Sequence, residues 1–579
     1  MYKWFFLAFA AVPLIFTVVR PSAAPELVWW TTHALDKVRP HDSEPAQPER
    51  VVRIHAARNE FEPFQVILRA EANDIDDVDV DVTDLERSDG ALLPKKHISV
   101  YAERYIDLKT PSAVDGSTGE WPDPLVPRVD SYAHEKRNAF PFKLLKGRNQ
   151  PVWVDVYVPK ATAPGLYQGR VQILAAGKPQ LSIPLQIEVW NFELPSTSSL
   201  ITTYGFSGIS AVRQHYGKYT RDSQIRDLTR IYRKAALLHR VSVRGGSTVP
   251  PAFSRTGGKV QINWKDYDTE SGPFMDGTVF SAEEPLHGAK VTSEAVRTPP
   301  ALTVPEEQME YWRQVGEHFR QKGWFDRLFN YLWDEPTPRD FPAMIKLGQV
   351  VRQADPQIQN LVTAPLHSEW SRFIDIWSPT LNCFERKPGF RGNPCGVTVA
   401  RNDYDIELSN GKKLWWYQAC GSHGCFIVGG DYYRDWPSYT IDHDGVRNRI
   451  QEWMSWKYDI KGELYFNTDE AFGRQNNPWQ DVYYFGGNGD GTLFYPGTPD
   501  VIGGTTHIPV ESIRLKLIRE GLEDYEYLVM LEKAAGRNTV AGPVNGLIRK
   551  IYDFERNPHK LYAVRQWLGQ EIERNASAN

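Results

Sequence analysis

Two carboxylates stand side by side in the stretch NYLWDEPTPRD: Asp334 and Glu335 close an apolar, aromatic run and are followed at once by Pro336. Adjacent acids can do general acid–base chemistry when both reach one ligand. Two carboxyl groups a few ångströms apart do not ionise together easily, and a protonated Glu beside an ionised Asp is a proton donor with a charge-stabilising neighbour. Successive strand residues alternate faces, which puts Phe329, Tyr331 and Trp333 on one side and Asn330, Leu332 and Asp334 on the other. Asp and Glu can therefore converge only where the strand stops being regular. Pro336 supplies that stop: it has no N–H for the sheet ladder, and it favours an extended Glu335. Asp340 is then placed to cap a following helix. The competing reading is a solvated loop start, ion-paired with Arg327 or Arg339. A second adjacent pair, Asp469-Glu470, follows the run GELYFN. It can be a loop acid pair, a binder of sugar hydroxyls, or the source of a nucleophile opposing Glu335.

Where these acids sit depends on the elements that carry them. Up to residue 195 the chain reads as β-rich, with period-2 alternation in VVRIHAARNEFEPFQVILRA and PVWVDVYVPKATAPGLYQGRVQILA and a further strand in LSIPLQIEVWNFELP. After ELPSTSS the pattern changes. The apolar runs ITTYGF, VSVRGG, RLFNYLWDE, QNLVTAP, FIDIWSP, KLWWYQAC and GELYFN alternate with helical segments such as PEEQMEYWRQVGEHFRQKG and FPAMIKLGQVVRQA. That makes seven strands, and the Gly-rich segment 252–300 has room for an eighth. The expected architecture is a multidomain chain. An antiparallel β-sandwich over 25–196 precedes a (β/α)8 TIM-type barrel over 197–536, with extra C-terminal helices over 537–579. RLFNYLWDE is then the fourth barrel strand, and the acid pair lands at its carboxyl end, where barrel enzymes keep their active sites.

Length and composition agree with this. A chain of 579 residues exceeds what one core usually supports. The formal net charge of −5 gives no electrostatic reason to expect nucleic acid. Aromatic residues make up 12% of the chain, with 19 Trp, which suits sugar rings and sandwich cores alike. At the N-terminus Lys3 precedes an apolar run from Trp4 to Val19 and then Ser22-Ala23-Ala24, the layout of an export signal over 1–24. Arg20 and Pro25 lie at the cleavage region, so the alternative is an uncleaved anchor, the sole membrane association expected. In an exported chain Cys383, Cys395, Cys420 and Cys425 form two bridges, with Cys383–Cys395 and Cys420–Cys425 preferred over the other connectivities and over a zinc site. No cofactor or metal is called for.

The segment SIRLKLIREGLEDYEYLVML resembles the domain of unknown function 4091, which marks proteins similar to glycoside hydrolase family 123. ARNEFEPFQVIL, VWVDVYVPKATAPGLYQG, FNYLWDEP, PSYTIDHDGVRNRIQEWMSWKYDIKGELYF and GDGTLFYPG extend the resemblance in order along nearly the whole mature chain. It implies the same sandwich and barrel, and an exported enzyme that hydrolyses β-linked N-acetylgalactosaminides with the substrate's own acetamido group as nucleophile. The family's adjacent Asp-Glu falls on Asp334, which would orient the acetamido N–H, and Glu335, which would act as acid and base. This chain departs from the pattern at Phe466, where many relatives carry Trp, and in the second acid pair.

Tyr417 resembles a family position whose hydroxyl reaches the acetamido group. Tyr204 and Arg244 end the first two strands and Trp416, Asn467 and Trp479 lie at or beyond later ones. All are candidates for substrate contacts, with core packing as the alternative for the aromatics. His367 and His423 lie on the same rim and are expected to be solvated. Three functions follow: the N-acetylhexosaminidase; a retaining glycosidase on a sugar without an acetamido group, with Glu470 as nucleophile; and a non-catalytic protein that binds a glycan on aromatic platforms.

Overall fold

The computed structural model describes residues 27–217, 222–245, 250–385, 387–388, 399–423, 430–474 and 477–578. The export-signal segment and Cys395 and Cys425 lie outside them. Cys383 and Cys420 are both disulfide-bonded.

The N-terminal domain is two seven-stranded sheets packed face to face. The central strands Glu60–Ala70 and Asn149–Val158 pair antiparallel over ten residues, and Val66, Leu68, Val154 and Val156 meet Val80, Val171, Ile183 and Leu185 from the other sheet. Two features differ from a self-contained antiparallel sandwich. Val52–Arg58 runs parallel to Lys178–Glu193, because the chain turns at Asn59, in the left-handed region at φ 62°, and continues directly into the opposite sheet. The first sheet is also completed by Phe494–Gly497 and Ile508–Ser512, strands that come from beyond the barrel and join at Gly119–Pro127.

The second domain is a parallel barrel of eight strands: β1 (Ile201–Gly205), β2 (Val243–Arg244), β3 (Glu294–Val296), β4 (Leu328–Trp333), β5 (Gln359–Val362), β6 (Ile376–Trp377), β7 (Lys413–Tyr417) and β8 (Gly462–Tyr465). Their order, β2-β1-β8-β7-β6-β5-β4-β3, leaves a seam between β2 and β3. The eighth strand is β3, inside the Gly-rich segment. The seam stays open because β2 is two residues long and Gly245, at φ 74°, turns the chain away. Side chains lace it instead: the Thr292 N–H donates to Ser242 Oγ at 2.7 Å and Ser293 Oγ donates to the Thr202 carbonyl at 2.7 Å. The alternation is incomplete as well, since 363–375, between β5 and β6, forms turns only.

Helix Ile513–Ala535 explains the most distinctive sequence segment. Arg514, Lys516, Arg519, Glu520, Glu523 and Asp524 lie on it and are fully buried. Their partners are in the sandwich, in the barrel helix Gly445–Arg449 and in the last helix: Arg514 bonds Asp123 at 2.8 and 2.9 Å, Arg519 bonds Asp155 at 2.7 and 2.8 Å, and Asp524 accepts from Arg449 and Arg565. Removing one member of such a pair leaves a buried charge and costs about 3–5 kcal/mol. The helix is a polar spine between the domains.

Candidate active site

The acid pair stands where β4 loses its register. Opposite β5 the pairing slips between Tyr331 and Trp333, so Tyr331 and Asp334, on opposite faces of an ideal strand, come together. The Tyr331 hydroxyl donates to Asp334 Oδ1 at 2.7 Å, and Thr363, just past β5, donates to the same oxygen at 2.8 Å. Thr363 Oγ1 in turn accepts the Glu335 backbone N–H at 2.7 Å. Glu335 is not extended as expected. Its φ is 43°, in the left-handed region, where a non-glycine residue costs about 1–3 kcal/mol. That turn sends its carboxylate toward β7, where the Tyr417 hydroxyl donates to Glu335 Oε1. Asp340 does head the next helix, but its side chain accepts from Thr337 rather than from the helix.

Both carboxylates face water, while Tyr331 and Tyr417 are buried. Burial, reinforced by the neighbouring carboxylates, raises both phenols well above the ordinary tyrosine value. Each therefore remains a hydrogen-bond donor throughout the neutral range. Two guanidiniums flank the Tyr331 ring, Arg244 at 5.3 Å and Arg297 at 4.5 Å from its centroid. Arg244 also donates to the carbonyls of Thr203 at 2.7 Å, Tyr465 at 2.9 Å and Phe466 at 3.1 Å, clasping the ends of β1 and β8.

Beside Asp334 lies a recess of about 270 Å³ lined by Arg297, Thr298, Asn330, Tyr331 and Trp333. Arg297 and Thr298 also wall a larger cavity of about 750 Å³, set on the open seam and lined by Phe206, Arg244, Phe253, Phe466 and Asn467.

Of the residues singled out in the sequence, Asp334, Glu335 and Tyr417 are brought into one cluster, Arg244 reaches it through Tyr331, and Asn467 lines the larger cavity. Three are elsewhere. Tyr204 is fully buried, its hydroxyl 3.4 Å from Tyr439 and Glu463. Trp416 is fully buried on the outer side of the barrel and donates to Ser455 at 3.0 Å. Trp479 donates to the Pro496 carbonyl at 3.0 Å and packs on Tyr495, where the chain rejoins the sandwich. His367 stacks on Trp370 at 4.2 Å rather than standing in solvent. Tyr331, Thr363 and Arg297 were not anticipated. Thr363 was findable, as a hydroxyl ending the neighbouring strand at the same level; the other two depend on the register slip and the seam.

In the second acid pair, Asp469 is buried and accepts the Ser207 N–H at 2.9 Å; its Oδ2 has no hydrogen-bond partner among the described residues, and burial raises its pKa well above the ordinary aspartate value. Glu470 is held by Arg474 at 3.0 Å and by Asn467 at 2.7 Å.

Two family models match the chain: the glycoside hydrolase 123 N-terminal domain over residues 30–175, and the glycoside hydrolase 123 catalytic domain over 305–531. The second match holds Asp334, Glu335, Thr363 and Tyr417. Among solved structures, a family 123 glycoside hydrolase from Clostridium perfringens is 16% identical and superposes with a TM-score of 0.65, covering 95% of this chain and 97% of that one. It shares the fold. A GH5 xyloglucanase from Bacteroides ovatus is 10% identical, with coverage of 82% and 98% and a TM-score of 0.28. A family 39 glycoside hydrolase from Bacteroides cellulosilyticus is also 10% identical, with coverage of 76% and 81% and a TM-score of 0.32. No curated protein matches the sequence.

Proposed function

We propose that this chain, which belongs to glycoside hydrolase family 123 and is a glycoside hydrolase, cleaves β-linked N-acetylhexosaminides, N-acetylgalactosaminides first, with the substrate's 2-acetamido group as nucleophile. The observation that carries this is the asymmetric tethering of Asp334. Tyr331 and Thr363 both donate to Oδ1, and Oδ2 accepts no hydrogen bond from the described residues. A carboxylate fixed by one oxygen presents the other to an amide N–H. Asp334 then aligns the acetamido carbonyl oxygen for attack on the anomeric carbon and stabilises the positive charge of the oxazolinium ion that forms. Glu335 gives its proton to the departing glycosidic oxygen. It next takes a proton from the water that opens the oxazolinium ring, which restores the acetamido group and the enzyme. This is the substrate-assisted exception to the two-carboxylate scheme and needs no enzymic nucleophile on the opposite face.

Two observations weigh against the other readings. Glu470 is already engaged by Arg474 and Asn467, which leaves a covalent route on a sugar without an acetamido group short of its nucleophile. A strained, exposed Glu335 is a poor feature for a purely binding barrel, because such strain persists where it serves a site. The Clostridium relative is described as acting on glycolipid glycans. For this chain a β-N-acetylhexosamine of an extracellular glycan is the corresponding substrate. Export is supported by the apolar leader and by the disulfide-bonded Cys383 and Cys420.

The test is hydrolysis of a panel of chromogenic β-glycosides with and without a thiazoline mimic of the oxazoline. Cleavage confined to 2-acetamido sugars and blocked by the thiazoline is expected. Cleavage of glucosides or galactosides that the mimic does not touch would overturn substrate assistance.

A further inference from the structure

We propose that the 750 Å³ cavity on the open seam receives the sugar next to the one cleaved, and that Arg297 there pairs with an acidic group, a carboxylate or a sulfate, on that sugar. The inference rests on the glycoside hydrolase reading above and adds the charge of the substrate to it.

Position comes first. The cavity and the recess beside Asp334 share Arg297 and Thr298 as a common wall, so a glycan seated on the acid pair extends past Arg297 into the cavity. Its volume is that of a ligand site, and Phe206, Phe253 and Phe466 give it apolar faces suited to the C–H faces of a sugar ring.

Charge is the second argument. Arg244 and Arg297 flank one tyrosine ring, and neither makes an ion pair with a carboxylate among the described residues. Arg244 spends its donors on three carbonyls. Arg297 is exposed and makes no hydrogen bond to the described residues, so its planar fork of N–H donors is unspent. The two cations repel: after burial, and against the pull of Tyr331 and Asp334, the Arg297 charge contributes to lowering the pKa of Arg244. Asp334 offsets one of them. Glu294, the other acid on the cavity wall, is buried, accepts from Tyr267 at 2.9 Å and faces the charge of Arg233, so its partners lie within the protein. Arg297 is left without a fixed partner among the described residues, with the geometry that grips carboxylate or sulfate bidentately.

The experiment uses the full chain and three disaccharides of N-acetylgalactosamine β-linked to glucuronate, to glucose 6-sulfate and to glucose. Wild type is expected to favour at least one acidic disaccharide over the neutral one by about tenfold in kcat/KM, the size of one charge-assisted hydrogen bond. The preference should shrink with added salt, vanish in Arg297→Ala and survive in part in Arg297→Lys. Comparing the two acidic arms tells carboxylate from sulfate. Equal rates on all three, or a preference that persists in Arg297→Ala, would overturn the inference. Calorimetric binding of the same disaccharides to Glu335→Gln separates the two layers. Salt-sensitive binding that depends on Arg297, without turnover in wild type, would keep the inference and remove the hydrolase mechanism. Turnover without charge preference does the reverse.

Discussion

Asp334-Glu335 follows β4 and Asp469-Glu470 follows β8, each an acid pair beyond an aromatic strand end of the same barrel. The first faces water; the second faces protein. Asp334 is tied by one oxygen to two hydroxyl donors, and Glu335 is swung by a left-handed backbone onto Tyr417. Asp469 is sealed in the core on a backbone N–H, and Glu470 is neutralised by Arg474. What differs is where the donors come from. Around Asp334 they are side chains on two strands, free to share a carboxylate with a ligand; around Asp469 the donor is backbone, and no room is left. A dipeptide does not define a site, but its donors do.

The sharpest way to break this contrast is to neutralise one acid in each pair. Glu335→Gln should lower kcat on a β-N-acetylhexosaminide by about 10²–10⁴, the range of general acid–base catalysis. Glu470→Gln should stay within a few-fold of wild type. A Glu470→Gln variant as inactive as Glu335→Gln would show that the second pair does chemistry. Next in size is Tyr331→Phe, which takes one of the two donors from Asp334. A lost hydrogen bond to a charged group costs about 1.5–3 kcal/mol, so kcat/KM should fall roughly 10- to 100-fold, and circular dichroism should show the fold intact. The smallest effect is at Asp469, and it appears in stability. Burial raises its pKa above 3.8, so the folded state holds a proton that the unfolded state loses. Its contribution is fully present below pH 3.8 and is lost as pH rises through the folded value. Asp469→Asn keeps an oxygen for the Ser207 N–H and cannot ionise. Its Tm relative to wild type should therefore rise between pH 4 and pH 8; a gap that is flat or falls across that range would show that Asp469 is ionised in the fold.

Much of this was legible in the sequence because it rests on period and punctuation. The alternation before residue 195, the strand–helix alternation after it and the stop at Pro336 located the acid pair at the end of β4. The family resemblance supplied its roles. The remainder depends on distances between strands, which no local pattern carries. Tyr331 meets Asp334 through a one-residue slip against β5, so strict alternation put them on opposite faces. Tyr204, Trp416 and Trp479 were candidates because they are aromatic near strand ends. Each is claimed by a buried partner on a different element: Glu463, Ser455 and Tyr495. Glu335 was expected to be extended on the rule for residues before proline, and a hydrogen bond from its own N–H to Thr363 outweighs that preference.

The strands Phe494–Gly497 and Ile508–Ser512, which complete the first sandwich sheet from the far end of the barrel, bear on how this molecule loses its structure. The polypeptide enters the barrel from one sandwich sheet, at Lys178–Glu193, and leaves it into the other, so neither half can come undone without stripping the other. A fragment ending near residue 196 would expose the sheet edge at Gly119–Pro127 and strand Asp123 and Asp155 without their arginines. A fragment beginning there would leave Arg514 without Asp123 and Arg519 without Asp155. Drawn by shape there are two domains. A single thermal transition is the expected outcome, and any graft of this active site onto another scaffold must bring the sandwich along.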